Sequence, residues 1–183
     1  MNNANTAQAM YAVSINQTAD LIEAIGATNS VLVQGNMGTG KTSLLNILTD
    51  RLPTHKPVYL DGTTLIDSAD MFMVKYSLDG KTFNTVPLED LGLHMPDQPV
   101  ILMFDELGKM TRSAQLATLR VQLERKHGKM TLHPDSIVFS TTNLGAEGVG
   151  DLLPAHARNR LTVVTMRKPD NMEWIEWGID NDI

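Results

Sequence analysis

Three glycines, a lysine and a threonine lie close together in GNMGTGKT, residues 35–42. The spacing matches G-x-x-x-x-G-K-[ST], in which glycines let successive backbone N–H groups turn toward a phosphate and the lysine reaches the β- and γ-phosphates. We therefore predict that Lys41 binds phosphate and that the Thr42 hydroxyl binds Mg²⁺. A flexible turn with an exposed lysine is the alternative. The predicted nucleotide-binding residues are Gly35, Asn36, Met37, Gly38, Thr39, Gly40, Lys41, Thr42 and Ser43.

Asp105 and Glu106 follow the apolar run PVILMF. Chemistry at a nucleotide phosphate requires a carboxylate beside the metal ion, and hydrolysis also requires a base that activates water. We predict that Asp105 is the metal ligand and that Glu106 is the base. The pair could instead stabilise the start of the helix predicted from residue 113. Two charges at the end of a buried strand need a partner such as a metal ion, which favours the metal site.

Asn143 ends a second apolar run, IVFSTTN. If this strand lies beside the strand that carries Asp105, the Asn143 amide reaches the γ-phosphate or the attacking water. As a turn residue before Gly145 it would have an ordinary structural role. The order of the motifs favours the functional interpretation.

Arg158 and Arg160 precede the last apolar run, LTVV. An arginine supplied by a neighbouring subunit can stabilise the charge that develops during phosphoryl transfer. The alternative is that both arginines hold a surface loop through carboxylates. We predict that Arg160 is the arginine supplied to the neighbouring subunit, with Arg158 as the second candidate.

The elements that must position these side chains alternate along the chain. Uninterrupted runs of Val, Ile and Leu indicate strands covered on both faces, as in the parallel sheets of α/β proteins. The predicted strands are residues 30–35, 57–62, 99–106, 136–143 and 161–166. The predicted helices are residues 18–29, 41–52 and 113–125, the last with Leu116, Leu119 and Leu123 on one face.

Local signals add detail to this plan. Thr18 or Asp20 is the predicted cap of the first helix, which should end at Gly26. Residues 68–76 indicate a helix running into a strand. Asp79-Gly80 predicts a hairpin with a two-residue turn, since both residues of a type I′ turn need positive φ.

Composition narrows the class of protein. The chain has 183 residues, enough for one domain. A formal net charge of -6 argues against a general affinity for nucleic acid. Because there is no cysteine, disulfides, thiol nucleophiles and zinc–thiolate sites are excluded. No basic–apolar leader precedes the chain's first helix and no run of about 18 apolar residues occurs, so we expect a cytoplasmic protein without a membrane partner.

The phosphate loop, the Asp-Glu pair, Asn143 and the two arginines occur in an order that resembles the AAA+ ATPases. The likeness covers about residues 16–170. It is strongest to the MoxR-like branch, through the segments FDELGKM, RKHGKMTLHPDS, FSTTN and LLPAHARNRL. The resemblance implies a P-loop NTPase core with a parallel five-stranded sheet between helices. It also implies hairpin inserts before the Walker B strand, in YSLDGKTFN, and before sensor 1, in RKHGKMTLHPDS.

The resemblance further implies Mg-dependent ATP hydrolysis by a ring, expected to be hexameric, with active sites shared between subunits. In it Asn143 would be sensor 1 and Arg160 the arginine finger acting in trans. Asn159 and Leu161 replace the residues around the usual finger arginine, so the choice between Arg158 and Arg160 stays open. The ATPase would remodel a partner, which in this branch is often a von Willebrand factor A protein.

We expect a flexible segment over 1–15, the ATPase core over 16–170 and the start of a C-terminal helix over 171–183. The family's lid domain is not expected, which fits either a shortened chain or a naturally lidless, phage-type protein. Trp174 and Trp177 would pack on the core or mark a surface for a lid or partner. Other functions are a nucleotide-dependent assembly switch with slow hydrolysis, a small-molecule phosphotransferase and, disfavoured by charge, a DNA-bound loader.

Overall fold

The structure, a computed structural model, describes residues 12–144 and 159–180. Its helices are α1 Ile15–Ile25, α2 Leu44–Arg51, α3 Arg112–Glu124 and α4 Asn171–Asp180. Its strands are β1 Val31–Gly35, β2 Lys56–Asp61, β3 Phe72–Tyr76, β4 Phe83–Pro87, β5 Val100–Asp105, β6 Lys126–His127, β7 Met130–Thr131, β8 Ile137–Asn143 and β9 Thr162–Met166. Short 3-10 turns cover Gly62–Thr64, Ser68–Met71, Glu89–Leu91 and Leu107–Lys109.

A parallel five-stranded sheet in the order β2-β5-β8-β1-β9 forms the centre of the fold. Its members are the five predicted strands, so the predicted fold class is confirmed. The register sets Gly35 opposite Asn143 on one side and Met166 on the other. It also sets Asp61 opposite Asp105. The carboxyl ends of the strands therefore meet at one edge of the sheet, where the polar residues collect.

Helices cover both faces of this sheet. On one face, Ile22 of α1 and Leu44 of α2 join Met103 in a buried cluster. On the other face, Leu119 of α3 is buried with Phe104. All residues of β5 are buried, and alternate ones enter the two clusters. This two-sided burial is why the strand lacks the polar alternation of a half-exposed strand.

One prediction about the helices is wrong. The cap of α1 is Ser14, not Thr18 or Asp20, because Ser14 and Gln17 form a reciprocal capping box. The predicted end at Gly26 is confirmed. On α3, Leu119 is buried and Leu123 is partly buried, whereas Leu116, predicted on the same face, is 44% exposed. The helix instead turns Gln115, Thr118 and Gln122 toward the interior.

Two hairpins precede β5 and β8, as predicted. In the first, β3 pairs antiparallel with β4, and Ser68–Met71 forms the predicted helical turn before it. Gly80 has a φ of 68°, whereas Asp79 is not left-handed, so the predicted type I′ turn is wrong. The Asp79 carboxylate accepts hydrogen bonds from Ser77 and Lys81 and shapes the turn instead. The second hairpin pairs β6 with β7.

The segment before α1 runs parallel to the end of β9. Val13 forms a parallel bridge with Met166 of β9. Its N–H donates to the Thr165 carbonyl at 2.9 Å, and its own carbonyl accepts from Arg167 N–H at 2.9 Å. Residues 1–11, most of the segment predicted to be flexible, lie outside the described part of the chain.

Candidate functional site

Residues 35–43 form a loop between β1 and α2. Gly38 and Gly40 have φ of 71° and 83°, the left-handed region that glycine adopts at no steric cost. A Cβ on Gly35 would lie 2.9 Å from the Met166 carbonyl oxygen and 3.0 Å from Thr39 Oγ1. The three predicted glycines are thus required by backbone shape or by space. Ser43 occupies the cap position of α2 without a side-chain capping bond.

The Lys41 ammonium is buried over this loop. It donates to the carbonyl oxygens of Gly35 at 3.1 Å and Asn36 at 2.9 Å, and to Asn143 Oδ1 at 2.8 Å. Burial lowers the pKa of Lys41, and the negative charges of Glu106 and Asp105 partly offset that effect. All three N–H donors of the ammonium are therefore used, and two of them bond to the loop that would surround a phosphate.

Thr42 and Asp105 meet at the junction of α2 and β5. Thr42 Oγ1 donates to Asp105 Oδ2 at 2.8 Å. A hydroxyl and a carboxylate oxygen suit Mg²⁺, which prefers hard oxygen ligands. Within residues 12–144 and 159–180, no group of three or more His, Asp or Glu could hold a metal ion. The pair fits Mg²⁺ bound through few protein ligands, with phosphate oxygens and water completing the shell.

Four donors surround the Asp105 carboxylate, about as many as it can accept. Oδ2 accepts from Thr42 and, at 3.1 Å, from the Tyr59 hydroxyl. Oδ1 accepts from Thr141 Oγ1 and, at 3.1 Å, from Glu106 N–H. Burial, and then the charge and hydrogen bond of Asp105, raise the pKa of Tyr59 to about 12.

Sequence reasoning missed Tyr59 and Thr141. Thr141 lies two residues before Asn143 in the same strand, so period-two alternation could have placed it on the face that carries Asn143. Tyr59 gave no comparable signal, because only the pairing of β2 with β5 brings it to Asp105.

Glu106 lies directly after β5 in a left-handed conformation, with φ 53° and ψ 41°. Such a backbone is uncommon for a residue other than glycine. Its carboxylate oxygens accept from Asn143 Nδ2 at 3.0 and 3.3 Å, and one of them lies 3.5 Å from Lys109 Nζ. Asn143 therefore accepts from Lys41 and donates to Glu106, which joins the loop to the acidic pair.

The arginines stand apart from this group. Arg160 is exposed just before β9 and makes no hydrogen bond or ion pair with the residues that the structure describes. Arg158 lies outside the described residues. Within one chain, the structure thus brings together the loop, Asp105, Glu106 and Asn143, and it does not bring Arg160 to them.

The sequence matches the model of the ATPase family associated with various cellular activities (AAA) over residues 31–168, more than half of the chain. No curated protein matches the sequence. No helix in the described residues is long and apolar enough to cross a membrane.

Several solved structures share the fold. A "putative ATPase" of Cytophaga hutchinsonii has a TM-score of 0.64 and 16% identity, over 96% of this chain and 53% of that chain. A mutant RuvB of Thermotoga maritima has a TM-score of 0.58 and 15% identity, over 92% and 51%. The Thermotoga maritima RuvB Holliday junction branch migration motor has a TM-score of 0.51 and 17% identity, over 84% and 43%. This chain spans about half the length of these proteins.

Proposed function

Because the chain belongs to the AAA family of ATPases, we propose that it binds Mg-ATP at residues 35–43 and hydrolyses it. The observation that carries this proposal is the hydrogen bond from Thr42 to Asp105. That bond joins the glycine loop to the end of a second buried strand. A triphosphate and its metal ion require this proximity of a loop hydroxyl and a strand-end carboxylate.

In this proposal, Lys41 exchanges its bonds to the Gly35 and Asn36 carbonyls for bonds to phosphate oxygens. Thr42 and Asp105 hold Mg²⁺, and the ion supplies positive charge to the phosphate groups. The loop N–H groups and the start of α2 add further positive potential at the same place.

Glu106 is the proposed base for the attacking water, with Asn143 orienting that water or the γ-phosphate. Both groups already lie within hydrogen-bonding distance of each other. Arg160 is proposed to reach the nucleotide of a neighbouring subunit, which is consistent with its exposed position away from its own loop. Arg158 remains the second candidate.

We further propose that the chain belongs to the MoxR-like branch of this family. Support comes from the two hairpins, β3–β4 before β5 and β6–β7 before β8, at the positions where this branch carries inserts. The proposed assembly is a hexameric ring that remodels a partner, with a von Willebrand factor A protein as the candidate partner. Although RuvB is a Holliday junction motor, the net charge of -6 leads us to propose no nucleic-acid partner.

A second candidate is a nucleotide-dependent assembly switch with slow hydrolysis. One observation favours it: both oxygens of the Glu106 carboxylate accept from Asn143, and Lys109 lies beside one of them. A base held in this way must be released before it can take a proton from water.

Two variants test and separate these functions. Lys41→Ala should weaken binding of a fluorescent ATP analogue by at least about 10-fold, since it removes charged hydrogen bonds. The matched control, Lys75→Ala on the exposed strand β3, should bind normally. Glu106→Gln should keep binding and reduce phosphate release by about 10² to 10⁴ if the chain is a hydrolase. If the unmodified protein already releases phosphate slowly and ATP changes only its assembly, the chain is the assembly switch.

A further inference from the structure

The Tyr59 hydroxyl donates a hydrogen bond to Asp105, the carboxylate that the proposed function assigns to the metal ion. Tyr59 belongs to β2, the edge strand of the sheet, and its register partner on β5 is Met103. Val58 and Leu60 on either side are buried in the opposite direction. The Tyr59 ring therefore lies on the sheet face that carries α2, and its hydroxyl reaches Asp105 Oδ2 at 3.1 Å.

The hydrogen bonds of Asp105 leave no acceptor site unused. A carboxylate offers about four lone-pair sites, and four donors occupy them here. A metal ion beside Thr42, or water bound to that ion, also needs one of these sites. One of the four donors must therefore withdraw when the cation binds.

Tyr59 is the donor best able to withdraw. The Glu106 N–H, which is shared with Thr141 Oγ1 at 3.2 Å, is fixed by the backbone, and Thr141 is fully buried within β8. Thr42 is itself a proposed metal ligand. Tyr59, by contrast, is 42% exposed, and among the described residues its hydroxyl bonds to Asp105 alone. A change of its side-chain rotamer would take the hydroxyl to water.

We propose that the Tyr59 hydroxyl competes with the divalent cation for Asp105 and is displaced when Mg-nucleotide binds. This inference rests on the proposed function, because it requires Mg²⁺ at Thr42 and Asp105. Tyr59 is then neither a base nor a metal ligand. It keeps the carboxylate hydrogen-bonded in the empty site and makes cation binding weaker than the two ligands alone would allow.

The test measures Mg²⁺ dependence, not turnover. In Tyr59→Phe, the Mg²⁺ concentration for half-maximal binding of a fluorescent ADP analogue should fall by about 3- to 10-fold, the value of one hydrogen bond. Binding of the same analogue in EDTA should not change. As an independent readout, Mn²⁺ replaces Mg²⁺, and its uptake with ADP is followed by the loss of the free Mn²⁺ signal in electron paramagnetic resonance.

Tyr76→Phe is the matched control, since Tyr76 is exposed on β3 and should leave Mg²⁺ dependence unaltered. A higher Mg²⁺ requirement in Tyr59→Phe would show that Tyr59 positions Asp105. That result would overturn the proposal that Tyr59 competes with the cation. An unchanged requirement would also overturn it. If the unmodified protein binds no nucleotide with or without Mg²⁺, the proposed function itself fails, and the experiment distinguishes that result from failure of the Tyr59 inference. Far-ultraviolet circular dichroism checks that both variants fold.

Discussion

The amide of Asn143 connects two opposite charges, the Lys41 ammonium and the Glu106 carboxylate. Its orientation is determined, because the oxygen must face the ammonium and the nitrogen must face the carboxylate. A change that keeps the shape but removes the amide N–H therefore tests the connection directly.

Asn143→Asp places a second carboxylate opposite Glu106 and removes the donor between them. We expect the free energy of unfolding to fall by about 1.5–3 kcal/mol, the value of a hydrogen bond to a charged group, and phosphate release to fall as well. Urea unfolding at neutral pH measures the stability change. The control is Asn84→Asp, which makes the same change of charge on exposed β4. Equal losses in the two variants would show that the amide has no special role.

At the scale of secondary-structure elements, Arg125 holds a helix and two strands together. It ends α3 with a left-handed φ of 53°. Its guanidinium donates to the carbonyls of Gly26 at 2.9 Å and Ser136 at 3.0 Å, and to Ser30 Oγ at 3.3 Å. Burial lowers its pKa to about 10, so it stays charged at neutral pH. These bonds hold the end of α1, the start of β1 and the start of β8 in place.

Arg125→Met should therefore reduce the free energy of unfolding by about 2–4 kcal/mol, because the Ser136 and Gly26 carbonyls each lose a charged donor and Gly26 keeps only the Val138 N–H. Arg125→Lys should restore little of it, since one ammonium cannot reproduce the planar fork. Arg120→Met on the exposed side of the same helix should cost less than about 0.5 kcal/mol. Urea unfolding compares the three, and a loss at Arg125 no larger than at Arg120 would contradict the assignment.

His127 connects the two hairpins. Its ring stacks on Phe72 with centroids 3.5 Å apart, and its Nε2 hydrogen-bonds to Thr85 at 2.8 Å. Burial, and then the nearby Arg120 charge, lower the pKa of His127 below 6.5. The unfolded chain takes up a proton near pH 6.5 that the folded chain resists. The stability from this contact is thus complete above pH 6.5 and is lost as the pH falls through the lowered pKa.

Hydrogen exchange measures this effect in the β3–β4 hairpin. Protection of its amides should fall between pH 7 and pH 5, after correction for the intrinsic pH dependence of exchange. His127→Phe keeps a stacking ring without a titrating group, so its protection should be independent of pH over that range. The same pH dependence in both proteins would exclude His127 as its source.

A helix or strand could be predicted from the sequence where a single local pattern determines it. Two-sided burial made β1, β5 and β8 visible as uninterrupted apolar runs, and the glycine loop and acidic pair followed from spacing. The exposure of Leu116 and the Tyr59 partner of Asp105 depend on contacts between distant segments. The cap at Ser14, by contrast, follows a local S-x-x-Q pattern that the prediction missed. No local pattern predicts that β2 lies beside β5, so Tyr59 could not be assigned.

At the scale of the whole molecule, no arginine in the described part of the chain forms a hydrogen bond with residues 35–43. If Arg160 acts in a neighbouring subunit, Arg160→Ala should keep nucleotide binding and lose about 10³-fold or more in phosphate release. Mixing Arg160→Ala with Lys41→Ala tests this directly. Some interfaces then pair an intact loop with an intact arginine, so the mixture should hydrolyse ATP although neither variant does. An inactive mixture that still assembles would exclude Arg160 as the finger.

The bridge between Val13 and Met166 has a mechanical consequence. Gly35 lies directly beside Met166 in the sheet, so the two hydrogen bonds of Val13 tie the segment before α1 to the strand that borders the first glycine of the loop. A pull on the segment before α1 would therefore act first on β9, the edge strand beside the proposed nucleotide loop.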